Sequence, residues 1–182
     1  TTGPTSNGAT FGIAVSRSSN NVIRNNRIHS LHVESVDYIF GILMEQMGTA
    51  SSIDSIYNNF ISLNADLTDS TAELRGISLA DDDDDQSSVL HNTITIGGDG
   101  ITDRSSYALK YNGYGEVTIL NNVLINKRSN DTGAGTHYGM YIFEESASGF
   151  NTDYNLIYAD GTGGMTGYYN GNDAATLSDF QT

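Results

Sequence analysis

The chain lacks cysteine and tryptophan altogether and has a single proline, Pro4. Without cysteine there are no disulfide staples and no thiolate-ligated metals. Charge is also scarce, at 16% of residues against the usual quarter. Basic side chains are the rarest part of it, 8 against 22 acidic ones, for a formal net charge of −14. A surface of that sign repels phosphate backbones and anionic lipid, which argues against nucleic acid and membrane-surface partners. No apolar run approaches the ~20 residues needed to span a bilayer. The first residue is not Met and no signal peptide is visible, so residue 1 reads as a boundary left by processing or cloning. What is present is glycine, at 20 of 182 residues, with abundant Asn, Ser and Thr. That length suits one domain with one core. The composition reads as an acidic, secreted or extracellular protein.

The residues are organised by an internal repeat. Five segments align: NVIRNNRIHSL (21–31), DSIYNNFISL (54–63), SVLHNTITI (88–96), TILNNVLIN (118–126) and TDYNLIYA (152–159). Each carries asparagine in one column, at Asn26, Asn59, Asn92, Asn122 and Asn155, with spacings of 33, 33, 30 and 33. Three residues earlier stand Ile23, Ile56, Val89, Ile119 and Thr152, and two residues later Ile28, Ile61, Ile94, Leu124 and Ile157. A second segment precedes each copy: GIAV (12–15), GILM (41–44), GISL (76–79), SYAL (106–109) and GMYI (139–142), with GYYN (167–170) a weaker sixth. Its apolar residues alternate, as Ile13/Val15 and Ile42/Met44 do, and a period of two means strand with one face buried. Helical repeats of similar period need paired amphipathic helices, and leucine-rich repeats need a Leu-x-x-Leu-x-Leu frame. Neither pattern occurs.

Short strands with one Asn per turn predict an all-β solenoid, a parallel β-helix of about five to six coils with a period of about 30–33 residues. Residues 1–182 form one domain on this reading, with a flexible start (1–11), the coils (12–170) and a tail (171–182). Coils spaced about 4.8 Å apart place identical columns above one another. The five asparagines then form a ladder, chosen because Asn tolerates left-handed backbone and its amide can bond to the next coil.

The I-x-x-N-x-I turn pattern resembles the pectate-lyase-like superfamily of right-handed parallel β-helices, over residues 12–170. Handedness comes from that resemblance alone. The stretch TDYNLIYADGTGGMTGYYNGNDAATLSDFQ (152–181) is similar to the last coil of secreted β-helix surface proteins of Bacteroidetes-type bacteria. That implies an exported, cell-surface or extracellular bacterial origin.

Function in a solenoid sits on what the coils present. Asp81, Asp82, Asp83, Asp84 and Asp85 form an acidic run that reads either as a solvated loop or as a calcium site. Apart from that calcium no cofactor is expected. Of the family's hydrolase motifs, NTD occurs once, at Asn151–Asp153 on the structural Asn column, GHG and RIK are absent, and the Trp- and Pro-bearing lyase signatures cannot occur, so no catalytic residues are assigned. The basic residues look scattered over different coils, and the four histidines, His29, His32, His91 and His137, read as surface groups. Tyrosines gather in the last third. Tyr138, Tyr141, Tyr158, Tyr168 and Tyr169 are candidates for an interface or a glycan platform, with Tyr154 beside them as an outer-face residue. Neither end shows a convincing cap. The expected role is therefore an extracellular structural module of a bacterial surface protein or fibre, with adhesive loops, joined to flanking coils or stacked head to tail with itself. The alternative is a carbohydrate-binding or carbohydrate-cleaving domain.

Overall fold

Alternating β-branched and polar residues build strands whose inward side chains must meet others of their kind. Here they do so by winding into stacked coils. The computed structural model describes residues 8–31, 37–45, 53–64, 72–80, 86–100, 103–130, 135–143 and 149–180. Each coil contributes one strand to each of three sheets. The first sheet takes β1 (Ala9–Ser16), β4 (Tyr38–Glu45), β7 (Glu73–Ala80), β11 (Ser106–Tyr111), β15 (His137–Ile142) and β18 (Gly164–Tyr169), all parallel. The second takes β2 (Val22–Arg24), β5 (Ile53–Tyr57), β8 (Gln86–Leu90), β12 (Glu116–Leu120) and β16 (Phe150–Asp153). The third takes β3 (Arg27–His29), β6 (Phe60–Asn64), β9 (Thr93–Gly97), β13 (Val123–Asn126) and β17 (Leu156–Ala159). A small extra pair joins β10 (Asp99–Gly100) to β14 (Ser129–Asn130).

The architecture is a parallel β-solenoid of about four turns, fewer than the five to six coils expected. The reason is geometric. Counting sequence copies counts levels, whereas turns are the steps between levels, and the five levels of the second and third sheets are separated by four steps. The sixth copy supplies only β18, after which the chain reverses instead of completing a coil.

Register explains the core. Ile42, Ile77, Leu109 and Met140 stack in one column of the first sheet, and Ile28, Ile61, Ile94 and Leu124 in one of the third. All eight are buried. Glycine recurs in the first sheet because the third sheet comes close. A Cβ at Gly41 would lie 2.6 Å from both the Gly76 carbonyl oxygen and Ile61 Cγ2.

The backbone corrects one part of the asparagine argument. The left-handed residue at each bend is the one before the ladder position: Asn25, Asn58, His91, Asn121 and Tyr154, with φ of 54–58°. Asparagine there relieves strain, so the Asn-Asn pairs divide two tasks between neighbours. Tyr154 is 78% exposed and holds this conformation with no packing in return. Tyr154→Asn is expected to raise stability by about 1 kcal/mol, since the left-handed region disfavours ordinary residues by that order. Chemical denaturation with an unchanged m-value checks it.

The C-terminal end is also better covered than the sequence suggested. β19 (Asn172–Ala174) pairs antiparallel with β18 and closes that edge of the first sheet. A one-turn helix, α1 (Leu177–Phe180), follows. Thr176 caps it: its Oγ1 accepts from the Asp179 N–H at 3.3 Å while the Asp179 carboxylate accepts from the Thr176 N–H at 2.9 Å. The edges of β16 and β17 stay unpaired among the described residues. No helix among those residues is long and apolar enough to cross a membrane.

Candidate functional site

The ladder asparagines lie between the second and third sheets. Asn26, Asn59, Asn92 and Asn122 each send both the backbone N–H and the Nδ2 amide to the Oδ1 of the asparagine one level on, at 2.9–3.0 Å. The Nδ2 amides of Asn59, Asn92, Asn122 and Asn155 also reach back to the carbonyls of Ile23, Ile56, Val89 and Ile119. Asn59, Asn92 and Asn122 are buried. With every side-chain polar atom of these three engaged, the ladder is architecture.

A second polar group lies inside the first and third sheets. His137 continues the interior column of Ile39, Leu74 and Ser106, and Asn126 continues that of Leu63 and Ile96. His137 is therefore fully buried, which overturns its reading as a surface group. His29 and His91 are exposed, and His32 lies outside the described residues. Ser106 Oγ stands 2.9 Å from His137 Nδ1 and 3.1 Å from Asn126 Oδ1. Arg128, also fully buried, donates from Nη1 to the Ala72 carbonyl at 2.8 Å. Burial, and then the Arg128 charge, lowers the His137 pKa to about 4. Burial lowers that of Arg128 to about 10. Serine and histidine at this distance suit nucleophilic chemistry elsewhere, but both are sealed from solvent here. Their role is to cross-link coils.

The outer face of the first sheet is different. Side chains that alternate with the core point outward and register in two columns. One runs Phe11, Phe40, Arg75, Tyr107, Tyr138 and Met165; the other runs Leu43, Ser78, Lys110, Tyr141 and Tyr168. Tyr107 and Tyr138 stack at 5.5 Å between ring centres, and Tyr141 stacks on Tyr168 at 4.4 Å. Edge contacts at 5.1–6.1 Å knit these pairs together. The Lys110 ammonium lies 4.3 Å from the Tyr107 ring centre and 5.2 Å from that of Tyr141. No carboxylate of the described residues lies within ion-pair distance of it. Burial, reinforced by the Arg75 charge, lowers the Lys110 pKa to about 8, with Glu73 opposing. Tyr138 donates to the Asp173 carboxylate at 2.9 Å. Burial raises the pKa of Tyr107, that of Tyr138 and, to about 12, that of Tyr141, so these hydroxyls stay neutral donors.

Towards the first coil the face becomes a groove of about 300 Å³, lined by Phe11, Tyr38, Phe40, Leu43, Glu45 and Arg75 among others. Arg75 is held there by Glu73 at 2.6 Å and lies 5.1–5.8 Å from the Tyr38, Phe40 and Tyr107 ring centres. Arg104 joins Asp37 at 3.2 Å and also lies over Tyr38. The basic residues are thus not all scattered, because the topology brings Arg75, Arg104 and Lys110 to one face.

Of the five candidate tyrosines, Tyr138, Tyr141 and Tyr168 belong to this cluster. Tyr158 lies on β17 in another sheet, bonded to Asp160 at 2.6 Å and facing Lys127. Tyr169 continues the inward column of Tyr111 and Ile142 and stacks on Phe150 at the end of the coil stack. In sequence Tyr107 counts among the alternating inward residues of SYAL (106–109), and Lys110 and Arg75 among the scattered bases; register turns all three to the outer face. Aligning outward positions by the 31-residue step from Tyr107 to Tyr138 would have found the first two. Asp81, Asp82, Asp83, Asp84 and Asp85 lie outside the described residues, among which no group of three or more His, Asp or Glu is placed to hold a metal ion.

No protein family, curated protein or solved structure matches the chain. Of the resemblance drawn from the turn pattern, the β-solenoid architecture is what the structure establishes.

Proposed function

We propose that the chain is a structural β-solenoid module of an extracellular bacterial surface protein or fibre, and that it adheres to carbohydrate through the outer face of its first sheet. It carries out no catalysis and needs no cofactor. The observation that supports this reading most is the four-tyrosine cluster around Lys110, its rings stacked on one another with Tyr107 and Tyr138 buried and Tyr141 and Tyr168 half-exposed, on a sheet whose other side is a continuous core. Rings at fixed spacing on a rigid scaffold stack on the apolar faces of sugars with little ordering penalty, and the phenol and ammonium groups donate to hydroxyl or carboxylate oxygens. On this reading adhesion belongs to a sheet face.

Affinity electrophoresis in gels cast with neutral and with uronate-containing polysaccharides tests this. Retardation in at least one gel is expected. Tyr141→Ala should weaken it about tenfold, as the loss of ~1.4 kcal/mol of stacking would, in a protein that still melts cooperatively within about 5 °C of the wild type. Tyr158→Ala should leave it as it was. Retardation equal in both variants, or none in any gel, contradicts the proposal. If the retained polysaccharide is anionic, binding should fade as pH rises through about 8, where Lys110 loses its charge. Lys110→Met should abolish that pH dependence.

A further inference from the structure

The charges of this chain are sorted along the solenoid axis. The first 33 residues contain Arg17, Arg24 and Arg27 and no acidic residue, whereas the 54 residues after Arg128 contain seven acidic residues and neither Lys nor Arg. Arg24 and Arg27 are exposed on β2 and β3, the edge strands at one end of the stack. Asp153 and Asp160 are exposed on and just beyond β16 and β17, the edge strands at the other. Register places Arg24, Tyr57, Leu90, Leu120 and Asp153 in one column, so a copy on the same axis turns its basic Arg24 edge towards the acidic edge at Asp153. Both ends also leave apolar interior residues only partly covered, Ile13, Val15 and Leu31 at the first coil and Phe150 and Ile157 at the last.

We infer that copies of this chain associate head to tail along the solenoid axis, the basic first coil of one copy seated on the acidic last coil of the next. Head-to-head contact would gather like arginines and tail-to-tail contact like carboxylates, so only the heterologous arrangement matches charge, and that arrangement propagates without closing. Because β18 and β19 fill the first sheet at the acidic end, the joint is a charged contact between coil faces and not a sixth coil added in register. The inference rests on the structural-module reading only for its biological use, since such pairs would be the joints of a fibre.

Sedimentation velocity of the full chain from about 10 μM to 1 mM tests the contact, in roughly 0.15 M salt so that the overall negative charge is screened beyond about 8 Å. The wild type should sediment faster as concentration rises. Arg24→Glu with Arg27→Glu, and separately Asp153→Arg with Asp160→Arg, should each stay monomeric. An equimolar mixture of the two should regain association, because each then offers the end that the other needs, and this rescue also shows both to be folded. A wild type that is monomeric throughout, or reversed variants that self-associate as the wild type does, overturns the inference. Electron microscopy separates the two ideas. Short head-to-tail oligomers without fibres uphold the contact and count against the fibre. Reversed variants that still build fibres do the opposite.

Discussion

Asn92→Ala is expected to lower the stability of the whole domain by about 3 kcal/mol or more. The Asn92 side chain accepts two bonds from Asn59, at 3.0 Å each, and donates to the carbonyls of Ile56 and Leu90 and to Asn122 Oδ1 at 2.9–3.1 Å. Alanine removes all five at a site only 1% exposed. Groups left behind without water each cost about 1–3 kcal/mol, reduced where a carbonyl keeps its second partner. For a chain of this size that corresponds to a melting temperature lower by about 6–12 °C. Thr93→Ala, one residue on and half-buried on the outer side of β9, should shift it by no more than a degree or two. Calorimetry on both variants checks the pair. Equal shifts would mean that the ladder adds nothing beyond ordinary packing.

Acid should weaken the fold through His137 before the carboxylates dominate. Its pKa is lowered to about 4 in the folded chain, against about 6.5 when unfolded. Between those values the unfolded state binds the extra proton. The stability contributed is present above pH 6.5 and is lost as pH falls from there towards 4, by up to about 3 kcal/mol. His137→Gln should be less stable at pH 7, because the Ser106 contact and the local packing change, yet show a shallower decline over this window. Denaturant midpoints at half-unit pH steps give the comparison. The same slope in both proteins would show that His137 is protonated without unfolding.

The sequence was most legible where the repeat itself does the work. Ile28, Ile61 and Ile94 recur because one column of the third sheet requires them, and a fixed step between copies is visible without coordinates. His137 was harder. In His-Tyr-Gly-Met strict alternation from Met140 would point Tyr138 inward and His137 outward; the phase breaks at Gly139, which exchanges their faces, and a polar side chain in a core column becomes credible only once Ser106 and Arg128 are seen to surround it. Arg128 and Asn126 reach that cluster from bends and a different sheet, and nothing in local spacing shows it. The hairpin of β18 and β19 was likewise hidden, because Tyr-Tyr-Asn-Gly reads as a strand followed by a loose tail until the antiparallel return is in place. The outer face fell between the two cases. Its members lie one residue from core positions in every copy, and the binding surface emerges when those outward columns are read across coils as carefully as the inward ones.

The most direct measurement on the central claim is an NMR titration of ring-labelled tyrosine with oligosaccharides from whichever polysaccharide retards the protein. Eleven tyrosines report at once, from every part of the solenoid. The signals of Tyr107, Tyr138, Tyr141 and Tyr168 are expected to move together and saturate, while Tyr154 and Tyr158 stay still. Movement at Tyr154 or Tyr158 with those four silent would place the adhesive surface elsewhere and contradict the claim.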